Sequence, residues 1–200
     1  MLGVVSAPVD ARAVLLVEGR SDAAAVTTLA ERHGRDLADE GVVVIPMGGA
    51  TNFGHYLEVL GPHGRHVTVT GLCDADQVLH LRRALGRAGF GSNLSESDIE
   101  ALGFHVCEAD LEDELIRSLG PARVEQVISE QGELRALRTF QQQPAQRGRT
   151  IDAQLRRFMG THSGRKLRYG RLLVAALDLD RVPRPLMLVL SDGHPAPTPR

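Results

Sequence analysis

Carboxylates gather where apolar runs of this chain end. Glu18 closes the run AVLLVE, and Asp22 follows it by four. Asp74 and Asp76 follow HVTVTGLC, and Asp110 and Glu112, with Glu108 beside them, follow LGFHVC. Unpaired like charges sharing one pocket repel, so such an arrangement makes sense around a cation. Hard carboxylate oxygens select Mg²⁺, Mn²⁺ or Ca²⁺. Asp74 and Asp76 stand two apart, so in an extended segment both point to one face and can share a site or serve two adjacent ions. Each pair alone also arises by chance in a surface turn. Asp110, Glu112, Asp113 and Glu114 have a further ordinary reading, since acidic side chains in a first helical turn favour the helix dipole.

Other residues could act on an anion. Lys166 is the only lysine among 23 basic residues. A compact ammonium can sit against a phosphate or give up a proton, tasks a guanidinium does poorly; a leftover surface lysine explains it equally well. Gly48 and Gly49 let the backbone approach a phosphate, or simply turn. Charge is divided unevenly along the chain. Residues 1–120 hold nine basic and eighteen acidic side chains, and residues 121–181 hold twelve basic and six acidic. The basic part, with Arg156, Arg157 and Arg168, could face a polyanion, though solvation alone accounts for any single arginine. The eight histidines show no paired metal spacing.

Those side chains need a scaffold. The continuous apolar run at 13–18 reads as a buried parallel strand, and 41–46, 66–73 and 102–107 read as three further strands. Helical spacing separates them, over roughly 22–33 after Ser21, over 51–60 after the glycine turn, and over LHLRRALGRAG, with a polar loop over 91–100. Strands alternating with helices imply right-handed crossovers and a parallel sheet, whose carboxyl edge is the usual place for ligands. From 110 onward the pattern is helical only, through ADLEDELIRSLG, PARVEQVISEQG, ELRALRTFQQQ, IDAQLRRFMG and SGRKLRYGRLLVAALD, with a loop over 144–150. The expected organisation is an α/β domain over 1–120, a helical extension over 121–190 packed on it, and a disordered tail over 191–200.

The bulk composition bounds this reading. A length of 200 residues suits one domain with an extension, and the 4% aromatic content makes the core aliphatic. Two cysteines, Cys73 and Cys107, form no zinc spacing and are expected as small buried residues. No apolar stretch reaches the length of a membrane span, and the N-terminus lacks a basic leader, so a reducing, cytoplasmic setting is expected.

VLLVEGRSD, then VIPMGGATNF, then GLCDAD, resembles the TOPRIM domain of topoisomerases, primases and small nucleases. Asp22 four after the glutamate, DLEDEL at 110–115 and the helical part with GRKLRYGRLL are similar to the TOPRIM half of OLD-family (overcoming lysogenization defect) endonucleases. The resemblance covers roughly residues 13–180. It implies a TOPRIM fold with a four-stranded, mostly parallel sheet, metal ligands at Glu18, Asp22, Asp74, Asp76, Asp110 and Glu112, and a catalytic lysine, for which Lys166 is the candidate. OLD proteins carry an ABC-type ATPase ahead of TOPRIM. No G-x-x-x-x-G-K-[ST] occurs here, so ATP gating is expected to come from another protein or to be missing.

The resemblance implies a Mg²⁺- or Mn²⁺-dependent endonuclease cutting DNA, or RNA, with two ions ~3.5–4 Å apart clamping the scissile phosphate. Two rivals stand beside it: a non-catalytic TOPRIM module that binds DNA or recruits a partner, and a primase-type nucleotidyl transferase. Only Tyr56 and Tyr169 could serve as a covalent tyrosine, and neither lies near the acidic clusters in sequence.

Overall fold

The computed structural model describes residues 11–65 and 67–193. Four strands form one sheet in the order β2-β1-β3-β4: β1 (Ala13–Val17), β2 (Val42–Pro46), β3 (Thr68–Cys73) and β4 (Phe104–Val106). All three pairings are parallel. Helices α1 (Arg20–Arg32), α2 (Phe53–Leu60), α3 (Val78–Arg87) and α4 (Glu96–Ala101) lie between the strands. Six more follow: α5 (Leu111–Leu119), α6 (Pro121–Glu130), α7 (Leu134–Gln141), α8 (Ile151–Gly160), α9 (Ser163–Ala176) and α10 (Arg184–Asp192).

The side chains of β1 explain its unbroken apolar run. Ala13, Leu15 and Val17 join one hydrophobic cluster, while Val14 and Leu16 join another. Successive side chains of a strand point to opposite faces, so a central strand covered on both sides must be apolar throughout. The second cluster is closed by α2, α3 and Ile99 of α4. The first contains Val26 and Leu29 of α1, Leu115 of α5, Val124 of α6, Leu155 of α8 and Leu173 of α9. The C-terminal helices therefore share a core with one face of the sheet.

Helices α1 and α9 pack closely because α9 carries a glycine at the crossing. A Cβ on Gly170 would stand 2.8 Å from the Ser21 carbonyl oxygen. Arg32 donates from Nη1 to the carbonyls of Val174 and Leu177 at 2.8 and 2.7 Å, which satisfies the frayed end of α9. This crossing brings Lys166, one turn ahead of Gly170, over the start of α1.

Two elements depart from the sequence expectation. The segment 91–100 is not wholly a loop, because α4 begins at Glu96. Ser95 caps it, accepting from the Asp98 amide at 3.2 Å while Asp98 accepts from the Ser95 amide at 2.8 Å. This reciprocal capping is a start signal that polar composition masked. The second is α10, whose Leu186, Val189 and Leu190 are buried and whose Asp192 meets His105 of β4 at 2.8 Å. Prolines at 183 and 185 obscured it, although proline suits a helix N-terminus. Ser191 and Asp192 thus belong to α10, and the rest of the expected tail, from 194, lies outside the described residues, as do residues 1–10 and His66.

Candidate active site

Parallel strands deliver their carboxyl ends to one edge, and the acidic residues collect there. Glu18 follows β1 and its Oε1 accepts the Asp74 amide at 3.1 Å, which ties the end of β1 to the end of β3. Gly48 and Gly49, both at positive φ, donate their amides to the Glu18 carbonyl at 3.0 Å each. Those two amides are therefore committed within the fold. Asp22, in the first turn of α1, is 9% exposed. Its Oδ2 accepts the Gly19 amide at 2.8 Å, closing the helix start.

Helix α5 adds the third group. Asp110 caps it, accepting from the Asp113 amide at 2.9 Å, and its other oxygen takes Arg156 Nε at 2.7 Å and Nη2 at 2.5 Å. Glu112 is 6% exposed and pairs with Lys166 Nζ at 3.1 Å. Glu108 points elsewhere: with Asp113 and Glu114 it surrounds Arg117 at 3.0, 2.9 and 2.9 Å. A cavity lined by Arg20, Ser21, Gly164, Lys166 and Leu167 opens beside this group.

The charges feel one another. Burial, reinforced by Glu18, Asp22, Asp110 and Glu112, pushes the Asp74 carboxyl up to about 8. Burial pushes Glu112 up to about 7, against the pull of Lys166. Glu18 and Asp22 are also raised, chiefly by burial, with their backbone hydrogen bonds opposing. Lys166 loses some preference for its charged form to burial, but Glu112 and Asp22 outweigh this and raise it.

Among the described residues, no three His, Cys, Asp or Glu side chains already converge as a chelating group. The donor set nevertheless fits a hard divalent cation. It is all oxygen, partly desolvated and short of positive charge, with one ammonium facing several carboxylates. Asp76 is exposed at the rim, in the short turn before α3.

Of the arginines expected to meet a polyanion, Arg156 is held by Asp110, and Arg168 by Glu133 at 2.7 Å. Arg157 is exposed and makes no ion pair among the described residues. Tyr169 is fully buried and donates to Glu133 at 2.8 Å, so its hydroxyl is withheld from the cleft. Cys73 and Cys107 are free and buried, and burial pushes both thiols up. Sequence reasoning missed Arg20 beside Lys166 and the Asp110–Arg156 pair; no sequence signal links residues that far apart.

A four-stranded parallel sheet in this order, with a glutamate after its first strand and an aspartate pair after its third, defines a TOPRIM-type domain. Residues 11–76 match the family described as the overcoming lysogenization defect protein-like TOPRIM domain. That match spans Glu18, Asp22, Asp74 and Asp76. Solved structures extend the likeness. The chain is 27% identical to the C-terminal region of the Xanthomonas campestris pv. campestris OLD protein, covering 92% of this chain and 95% of that one at a TM-score of 0.69. The C-terminal region of the Burkholderia pseudomallei OLD protein shares the fold, at 22% identity and a TM-score of 0.70 over 92% of this chain and 97% of that one. No curated protein matches. The chain is thus similar to the C-terminal regions of OLD proteins over most of its length, and its match to the TOPRIM family spans residues 11–76. Among its described residues no helix is long and apolar enough to cross a membrane.

Proposed function

We propose that this protein is a metal-dependent nuclease that hydrolyses phosphodiester bonds, in DNA before RNA. One observation carries the reading: Lys166 of α9 and Glu112 of α5 meet Glu18, Asp22 and Asp74 at the sheet edge, so the helical part completes the acidic cleft of the α/β part. Glu18, Asp22, Asp74 and Asp76 would hold Mg²⁺ or Mn²⁺, with Glu112 and Asp110 on a second ion. Bound there, such ions supply Lewis acidity and an activated water. Asp110 must give up Arg156 to take part, whereas Glu112 need only share its ion pair.

The chain's own residues have defined tasks in this reading. The Glu18–Asp74 hydrogen bond fixes the distance between two strand ends. The Gly19 amide holds Asp22 in one rotamer. Lys166 places a fixed positive charge where negative charge grows on the phosphate, which stabilises a transition state without reorganisation. Tyr169 is turned into the core, which argues against a covalent phosphotyrosine. An ATPase partner and a cytoplasmic setting belong to the same proposal. The experiment is cleavage of supercoiled plasmid, linear DNA and RNA with Mg²⁺, Mn²⁺, Ca²⁺ or EDTA. DNA cleavage with Mg²⁺ or Mn²⁺ that is lost in Glu18→Ala supports it. Binding without cleavage under every metal condition favours the non-catalytic module instead.

A further inference from the structure

Helix α3 carries Arg82, Arg83 and Arg87, and these line one open cavity with Ser92 and Asn93 of the following loop. Residues 1–120 have twice as many acidic as basic side chains, yet among the described residues no carboxylate pairs with this trio. Among the described residues none of the three makes an ion pair, whereas Arg35, Arg117, Arg156 and Arg184 each do. The Arg82 Nε is buried without a hydrogen-bond partner. Arg87 Nη2 lies 3.1 Å from where a Cβ on Gly54 would stand, so its guanidinium rests against α2 at that glycine. Asn93 holds a positive φ of 53°, and neither Ser92 nor Asn93 makes a hydrogen bond among the described residues.

Three guanidinium groups lining one cavity repel, and a buried Nε without a hydrogen-bond partner adds a cost. An anion removes that cost. The planar donor fork of arginine matches phosphate oxygens, and a serine hydroxyl and an asparagine amide add neutral donors. We propose that this cavity is a phosphate-binding site separate from the acidic cleft. Helix α3 starts two residues after Asp76 and runs for ten residues, so its last turn lies roughly 15 Å further on. The phosphate belongs either to the backbone of a nucleic-acid strand that also reaches the cleft or to a free phosphorylated small molecule. The site does not depend on the hydrolysis proposed above, and its test contains no divalent metal.

The test compares wild type with Arg83→Glu/Arg87→Glu, with the milder Arg83→Ala/Arg87→Ala, and with Arg12→Glu/Arg181→Glu as the same charge change at other exposed positions. All are measured in EDTA. A labelled DNA duplex is titrated by fluorescence anisotropy across a salt series, and melting is followed with added phosphate or pyrophosphate. A nucleic-acid source predicts tenfold or greater loss of DNA affinity in both α3 variants, with a salt slope shallower by about 1.8 for two lost contacts. A small-molecule source predicts unchanged DNA affinity and a phosphate- or pyrophosphate-induced rise in wild-type melting that the α3 variants lose. The proposal is overturned if the α3 variants match the reference variant in DNA affinity and no phosphate compound stabilises wild type more than them.

Discussion

The Lys166 ammonium stands 3.1 Å from Glu112 Oε2, joining α9 to the first turn of α5 across the acidic cleft. The single lysine of the chain therefore lies among the strand-end carboxylates. Lys166→Ala is expected to slow cleavage by ~10²–10³-fold, the scale for one preorganised contact to developing charge. Lys166→Arg should restore little, since a planar fork does not replace a compact ammonium. DNA affinity in Ca²⁺ should change far less. Single-turnover rates beside binding curves check this, and an unchanged rate in Lys166→Ala removes the residue from the chemistry.

Metal binding should appear as stability. Divalent ions bind the folded cleft and not the unfolded chain, so millimolar Mg²⁺ or Mn²⁺ should raise the melting temperature. The shift should shrink in Asp74→Ala and in Asp76→Ala. A melting curve indifferent to both ions would speak against a cation site.

The metal-free protein should lose stability as pH rises. Burial and neighbouring carboxylates lift Asp74 to about 8 and Glu112 to about 7 in the folded state, well above ordinary carboxylates at ~4. Between these limits the folded state binds more protons than the unfolded one, so the stabilisation is complete below pH ~4 and is lost as pH rises through about 8. Melting of the EDTA-treated protein from pH 5 to 8.5 reads this directly. Asp74→Asn should flatten the profile, and a wild-type profile that instead rises over that range would contradict the crowding.

Much of the fold was legible because β1 is buried on both faces and so must be apolar throughout. The strand ends at Glu18 and Asp74 could be read for the same reason. Lys166 stood out by its type and by the resemblance of the helical part, and nothing in its sequence neighbourhood tells that it faces Glu112. That pairing is a tertiary fact, fixed by the α1–α9 crossing at Gly170. Helix α4 was hidden by polar residues that turn out to be its cap, and α10 by the prolines that start it. The commitment of Arg156 to Asp110, 46 residues away, was not legible for the same reason as Lys166.

Gly170→Ala tests that crossing. Its Cβ would press on the Ser21 carbonyl at 2.8 Å, and overpacking of this kind costs typically 1–3 kcal/mol. Helix α9 must shift, which moves Lys166 relative to Asp22 and Glu112. Lower melting temperature together with a reduced cleavage rate at saturating metal is the expected result. Unaltered melting and rate would mean that α9 is not held there.

The central claim is that the carboxylates at the sheet edge form a metal-dependent phosphodiesterase site. It is tested most directly by incubating supercoiled plasmid with wild type and with Asp74→Ala, each purified identically, in Mn²⁺, Mg²⁺ and EDTA. The account predicts nicked or linear product from wild type with Mn²⁺ or Mg²⁺, none in EDTA, and none from folded Asp74→Ala under any condition. Equal product from both proteins, or intact plasmid from wild type with either ion, would contradict it.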